Sequence, residues 1–168
     1  MSLINLHGRA AYVFSEDNFD VDLIVGIGNI RLKDEDEMVR VAMNAYDRSF
    51  ASSVKPGDLL VGGANFGYGH PHYPPMIAMR KLGIAGVIAE TFYPGYWLGE
   101  IAEGFPQVGC PGITDLVERW DEIEVDWEQT RVVNHTKNLA LPFEPLNQSA
   151  MQLLDAGGLI PFLKQSNR

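Results

Sequence analysis

The residues best suited to acid–base chemistry lie together in one stretch, residues 62–72, which is rich in glycine. His70 and His72 flank Pro71, with Tyr68 and Tyr73 close by. Imidazole titrates near neutral pH, so either histidine could act as an acid, a base or a carboxylate-binding cation, and we assign His70, His72 and Tyr73 as candidate catalytic residues. Two histidines without a third ligand nearby make a poor metal site, so no metal is expected here. The alternative interpretation is that both histidines cap a helix in a surface loop.

This stretch is predicted to join a strand over residues 58–62 to a helix over residues 76–82, with Gly83 as its C-cap and another strand over residues 85–89. Such a unit favours parallel pairing through a right-handed crossover. Ligands bind at the carboxyl end of such a strand, where backbone N–H groups and the helix dipole converge. The glycine spacing is not that of a dinucleotide-binding loop, and no lysine follows as in a P-loop.

The remaining pattern predicts one mixed α/β domain over residues 1–168, with a compact β-rich layer flanked by helices. Asp34 is predicted to cap a helix, with Glu37 three residues further on. We also expect short strands at 11–14, 23–25 and 107–109, a helix at 93–103, a hairpin formed by 122–127 and 130–133, and a helix at 147–156.

Composition excludes several classes of function. The net charge of −9 disfavours nucleic acid as a partner and argues weakly against small anions. No apolar run approaches the ~20 residues needed to cross a bilayer, and a cytoplasmic protein without a membrane partner is expected. The single cysteine, Cys110, cannot supply the ligands of an iron–sulfur cluster and is interpreted as a small buried residue rather than a nucleophile.

The order of several short motifs resembles that of a known family. The loop has the form G-x-N-F-G-x-G, formed by Gly63, Asn65, Phe66, Gly67 and Gly69. Further similar segments are residues 17–22, 54–58, 87–92, 143–146 and 154–160. Together they span almost the whole chain, which is therefore similar to the small subunits of 3-isopropylmalate dehydratase and homoaconitase and to the C-terminal domain of aconitase.

The resemblance implies a swivelling β/β/α domain that closes over a large subunit carrying a four-iron, four-sulfur cluster. It also implies dehydration and rehydration of a small hydroxy carboxylic acid, as in leucine biosynthesis, with no cofactor bound by this chain itself. The substrate-binding positions it suggests are Asn65, Gly67, Tyr68, Gly69, Asp20, Asp22 and Gly28. An alternative for the aspartates is a hydrogen-bonded turn.

The chain departs from the family where the chemistry is expected. His70, Pro71 and His72 stand where the family has two serines and an arginine, and Gly28 replaces another arginine of the family. A histidine does not reproduce the fixed charge and fork of a guanidinium. We favour a divergent hydro-lyase subunit, with His70 near the base position and His72 near the carboxylate site. The alternatives that remain are a non-catalytic binding or regulatory module and a stand-alone enzyme, which could form a homo-oligomer.

Overall fold

The fold is a single seven-stranded sheet covered by helices, seen in a computed structural model that describes residues 3–166. The predicted domain also included Met1, Ser2, Asn167 and Arg168, which lie outside the described residues. The strands are β1 (Leu6–Phe14), β2 (Leu59–Gly62), β3 (Gly86–Ala89), β4 (Gln107–Gly109), β5 (Glu122–Asp126), β6 (Arg131–Asn134) and β7 (Leu139–Pro142). The helices are α1 (Glu35–Val41), α2 (Phe50–Ser53), α3 (Tyr73–Lys81), α4 (Pro94–Ala102), α5 (Ile113–Leu116), α6 (Gln148–Ala156) and α7 (Leu159–Ser166).

The sheet has a parallel half and an antiparallel half that share β1. Its strand order is β4-β3-β2-β1-β5-β6-β7. Strands β1 to β4 pair in parallel, with Leu60 opposite Val87 and Val87 opposite Gln107, whereas β5, β6 and β7 continue from β1 as an antiparallel meander. The carboxyl ends of the four parallel strands therefore open at one edge, where loops from distant parts of the chain meet.

Each face of the sheet is covered by its own apolar cluster. One cluster contains Phe14, Phe19, Phe66 and Tyr96 under α1, α3 and α4, and the other contains Ile88, Ile113 and Val125 under α5 and the meander. Strands β2 and β3 are buried along their whole length, as expected for parallel strands covered on both faces. The mixed α/β fold predicted from the sequence is confirmed.

One predicted strand is wrong. Residues 23–25 are not extended: Val21–Ile24 forms a 3-10 turn, which we call the first 3-10 turn. Asp20 caps this turn by accepting a hydrogen bond from the Asp22 N–H at 2.9 Å. A second 3-10 turn, Ile27–Asn29, follows immediately. The local side-chain cap thus overrides the apolar run Leu23 to Val25, which alone favours a strand.

The other predicted elements agree with the structure to within a few residues. Asp34 caps α1 by accepting hydrogen bonds from the N–H groups of Asp36 and Glu37. Asn147 caps α6 in the same way, and α6 ends at Gly157, whose φ is +81°. Within residues 3–166, no helix combines the length and the apolar character that crossing a membrane requires.

Candidate functional site

The glycine-rich loop between β2 and α3 is anchored to the hydrophobic core by its own residue Phe66. Its ring is fully buried and lies 5.8 Å from Phe14, 5.4 Å from Phe19 and 5.7 Å from Tyr96, measured between ring centroids. Gly67 follows with a φ of +84°, and a Cβ there would lie 2.2 Å from the Tyr96 ring. A glycine is therefore required at position 67 for both backbone conformation and space.

Most backbone donors of the loop are used to hold it in place. The N–H groups of Phe66 and Gly67 donate to the carbonyls of Thr91 and Phe19, and the Asn65 N–H donates to the Thr91 hydroxyl at 2.8 Å. By contrast, the N–H groups of Tyr68, Gly69 and His70 donate to no described residue. The part of the loop that can offer backbone donors to a ligand is therefore residues 68–70.

The start of α3 is a weaker anion site than the sequence pattern suggested. The second and third residues of the helix are Pro74 and Pro75, which have no N–H group to offer. His72 occupies the N-cap position, yet its side chain makes no capping hydrogen bond. The capping alternative for His72 is thus excluded by the geometry, and the imidazole points to a different partner.

That partner is Asp22, from the first 3-10 turn. Asp22 Oδ1 accepts a hydrogen bond from the His72 backbone N–H at 2.9 Å, and Oδ2 lies 2.6 Å from the imidazole Nδ1. Asp22 is only 4% exposed, whereas the His72 side chain is 43% exposed. A buried carboxylate thus holds one nitrogen of a solvent-accessible imidazole, an arrangement that suits acid–base chemistry.

His72 also lines a cleft of about 160 Å³ between the start of α3 and the helix α4. The other residues that line it are Pro71, Tyr73, Gly95, Tyr96, Gly99, Glu100 and Glu103. Glu100 pairs with Arg80 at 2.6 Å, and burial raises the pKa of Glu100 above its ordinary value against the opposing effect of Arg80. The cleft therefore contains acids and an imidazole, and none of its lining residues within 3–166 is a lysine or arginine.

A second cavity, of about 410 Å³, lies at the same sheet edge beyond β3 and β4. It is lined by Thr91, Phe92, Pro94, Trp97, Gly109, Glu144, Pro145, Leu146 and Asn147. Thr91 connects it to the glycine-rich loop, because its hydroxyl accepts from the Asn65 N–H. The sequence did not point to this cavity, since its walls come from three separate segments that only the fold brings together.

Some of the predicted site residues contact one another in the structure, and others are exposed beside them. Asp22 and His72 are in direct contact, and a Cβ on Gly69 would lie 3.7 Å from Asp20 Oδ2. His70, Tyr68 and Tyr73 are exposed nearby, with Tyr68 51% and Tyr73 77% exposed.

Asn65 and Gly28 do not fit the predicted role as directly. The Asn65 amide donates to Asn18 Oδ1 at 2.7 Å, and its φ is +55°, so it shapes the loop. Gly28 lies in the second 3-10 turn, and an ideal Cβ there has no neighbour within 4 Å. Within the described residues, no hydrogen bond joins Gly28 to the glycine-rich loop.

The residues of this chain do not fit an iron–sulfur cluster. Across residues 3–166, no group of three or more histidine, cysteine or acidic side chains is arranged to hold a metal. Cys110 is completely buried, its Sγ lying 3.6 Å from the Pro142 carbonyl oxygen. A cluster at this site would need its ligands from another chain.

Comparison with known proteins identifies relatives of this chain. The chain is 35% identical over 149 residues to the isopropylmalate/citramalate isomerase small subunit of Methanocaldococcus jannaschii, covering 89% of each chain. It is 34% identical over 148 residues to the 3-isopropylmalate dehydratase small subunit of Halothermothrix orenii, covering 88% of this chain and 90% of that protein. No model of a protein family matches the sequence.

A solved structure agrees with the sequence relatives. A crystal structure of 3-isopropylmalate dehydratase from Methanocaldococcus jannaschii superposes with a TM-score of 0.87 at 30% identity, covering 98% of this chain and 96% of that one. The seven-stranded fold and these relatives thus define the chain as a small subunit of the aconitase-like hydro-lyases. Within that class, the chain belongs to the family of 3-isopropylmalate dehydratase small subunits.

Proposed function

We propose that the chain works as the small subunit of a heteromeric hydro-lyase that removes and adds water on a small hydroxy carboxylic acid. The sequence suggested His70 as the base, but His72 is the histidine that contacts the buried Asp22 and lines the cleft, so we place the base at His72. His72 takes the proton from the carbon beside a carboxylate, Tyr73 assists from the same cleft, and His70 remains a second candidate on the exposed part of the loop. The electron pair of the broken C–H bond forms a double bond to the neighbouring carbon as the C–O bond of that carbon breaks. The departing hydroxide takes up a proton and leaves as water, and His72 returns its own proton to the solvent. The single observation that carries the proposal is the contact between the imidazole of His72 and the buried carboxylate of Asp22.

Charge supports the need for a partner subunit. A substrate carboxylate needs a cation or several N–H donors. The lining residues of the cleft beside His72 include Glu100 and Glu103 but no lysine or arginine, and the nearby Arg80 is already paired with Glu100. The chain itself offers the N–H groups of residues 68–70. The remaining positive charge is therefore proposed to come from a large subunit, which also carries the iron–sulfur cluster.

The charges available in the cleft also bear on the class of substrate. The relatives are named for isopropylmalate and citramalate, which are hydroxy dicarboxylic acids. Histidine replaces the permanent charge of arginine at position 72, so we propose that this subunit serves a hydroxy acid with a less anionic group at that position. This is the point at which the chain is expected to differ from its relatives.

Co-purification tests the proposed assembly. The chain is expressed with a large subunit from its own genome, with an affinity tag on the small subunit only. A brown complex that contains both chains and iron supports the proposal. A stable homo-oligomer that excludes the large subunit contradicts it and favours a stand-alone enzyme. A colourless small subunit that binds the large subunit without any turnover of hydroxy acids favours a regulatory module.

A further inference from the structure

We infer that Asp22 is a positioning residue, which fixes the tautomer of His72 and leaves Nε2 as the atom that exchanges protons. This inference rests on the proposed function of His72 and deepens it. The sequence suggested that Asp22 binds substrate directly. In the structure both of its oxygens are occupied by His72, at 2.9 Å and 2.6 Å.

Burial determines what Asp22 can do. With 4% of its surface exposed, the carboxylate cannot reach a ligand in the cleft without moving the first 3-10 turn. That turn is held by its own cap, since Asp20 Oδ1 accepts from the Asp22 N–H. Among described residues, the one ion pair of Asp22 is with His72. A buried carboxylate that accepts from an imidazole Nδ1–H favours the tautomer with a free lone pair on Nε2.

A substrate can approach the imidazole of His72 from the side that faces away from Asp22. The His72 side chain is 43% exposed, and it lines the 160 Å³ cleft together with Tyr73 and Glu103. The imidazole of His72 therefore lies between the buried carboxylate of Asp22 and the open cleft. A proton taken up at Nε2 creates an imidazolium, and the carboxylate of Asp22 stabilises that charge.

The geometry also explains why the backbone contact matters. The Oδ1 bond to the His72 N–H fixes the main chain at the first residue before α3, while the Oδ2 contact fixes the ring. One carboxylate thus holds both the position and the rotation of His72. An isosteric amide would keep the first bond through its oxygen. It would also place a donor where Oδ2 now accepts, which forces Nδ1 to accept and Nε2 to carry the proton.

Asp22→Asn therefore provides the test, with Asp34→Asn as the control. Asp34 caps α1, whose first turn pairs with Lys81 at the end of α3 away from the loop, and an amide can replace this cap. The ring nitrogens of His72 in the isolated full-length chain are followed by ¹⁵N NMR, with the signal assigned through His72→Asn. We expect the Nδ1–H tautomer in the wild type and in Asp34→Asn, and the Nε2–H tautomer in Asp22→Asn. In the complex with the large subunit, kcat of Asp22→Asn should fall roughly 10²–10⁴-fold with KM little changed.

The tautomer of His72 tests the positioning role of Asp22, and turnover by the complex tests the catalytic role of His72. An Nε2–H tautomer in the wild type, or a tautomer that Asp22→Asn leaves unchanged, overturns the positioning role. The expected tautomers combined with full turnover of His72→Asn uphold the positioning role and overturn the catalytic one. Asp22→Glu serves as a second variant if Asp22→Asn does not fold: it keeps a carboxylate, and it should retain the Nδ1–H tautomer.

Discussion

Asp22 and His72 are 50 residues apart in the chain, yet the carboxylate of Asp22 contacts both the backbone N–H and the imidazole Nδ1 of His72. The two residues meet because β1 and β2 pair in parallel, so that the loops leaving their carboxyl ends lie side by side. The family loop has two serines and an arginine at the positions of His70, Pro71 and His72. Here the same backbone presents an imidazole supported by a buried carboxylate.

The two histidines of the loop should differ in what they contribute to stability. His72→Ala removes the partner of the buried Asp22 and should lower the free energy of unfolding by about 1–3 kcal/mol. His70 is exposed and has no hydrogen-bond partner among the described residues, so His70→Ala should change it by less than about 0.5 kcal/mol. Urea denaturation measures both. Equal stabilities for the two variants would mean that the contact between Asp22 and His72 contributes nothing.

The loop conformation should depend on glycine at position 67. Gly67→Ala forces a Cβ to within 2.2 Å of the Tyr96 ring at a φ of +84°, and it should destabilise the fold by about 2–4 kcal/mol. Gly99→Ala is the matched control, because Gly99 lies inside α4 and a Cβ there meets nothing within 4 Å. That variant should be more stable than wild type by about 0.5–1 kcal/mol. Chemical denaturation of the pair would refute this account if Gly67→Ala were as stable as Gly99→Ala.

Acid pH should destabilise the protein partly through Asp47. Hydrogen bonds from Ser49, and then the bond from Arg119, lower the pKa of Asp47 to about 2. The folded pKa lies below the unfolded value of about 3.9, so this stabilisation is complete above about pH 4 and is lost as the pH falls towards 2. Asp47→Asn cannot titrate and should lose less Tm than wild type between about pH 5 and about pH 2. The control is Asp115→Asn, because the side chain of Asp115 is exposed and makes no hydrogen bond to any residue within 3–166. Parallel Tm curves for wild type and Asp47→Asn would contradict the assignment.

Cys110 should be chemically silent in the folded protein. Burial, and then the charge of Glu90, raises the pKa of the thiol to about 12, and the side chain is fully buried. The thiolate is the reactive form, so a thiol reagent at about pH 8 should label Cys110 only after unfolding. Mass spectrometry with and without urea measures this. Rapid labelling of the native chain would show that Cys110 is accessible and would reopen the question of its role.

The elements predicted well from the sequence are those with a local cause. Strand β4 and the capped helices α1 and α6 follow from apolar spacing together with Asp34, Asn147 and Gly157. Strand β7 was missed because Leu139–Pro142 is short and mostly exposed, so it has no buried face to give a pattern. Helix α7 was not predicted either; its third residue is Pro161, and a proline is tolerated in the first turn of a helix.

The site was predicted less completely than the fold, for a physical reason. The histidine-containing loop was visible from residue types and from the family resemblance. The partner of His72 was not, since a contact across 50 residues depends on which strands pair. The residues that follow Asp22 were also predicted wrongly, because residues 23–25 were expected to form a strand, whereas Leu23 and Ile24 belong to the 3-10 turn that carries Asp22. The positions of Asp22 and His72 depend on long-range strand pairing and on local side-chain caps. Neither of these produces a periodic pattern in the sequence.

The proposed reaction depends on His72 as the base of a hydro-lyase assembled with a large subunit. Its most direct test is the dehydration rate of a panel of hydroxy acids, including isopropylmalate and citramalate, by the reconstituted complex with wild-type or His72→Asn small subunit. The amide of the variant can still donate to Asp22, so the complex should assemble normally, and kcat should fall roughly 10²–10⁴-fold. A His72→Asn complex that turns over its best substrate at the wild-type rate would contradict the account.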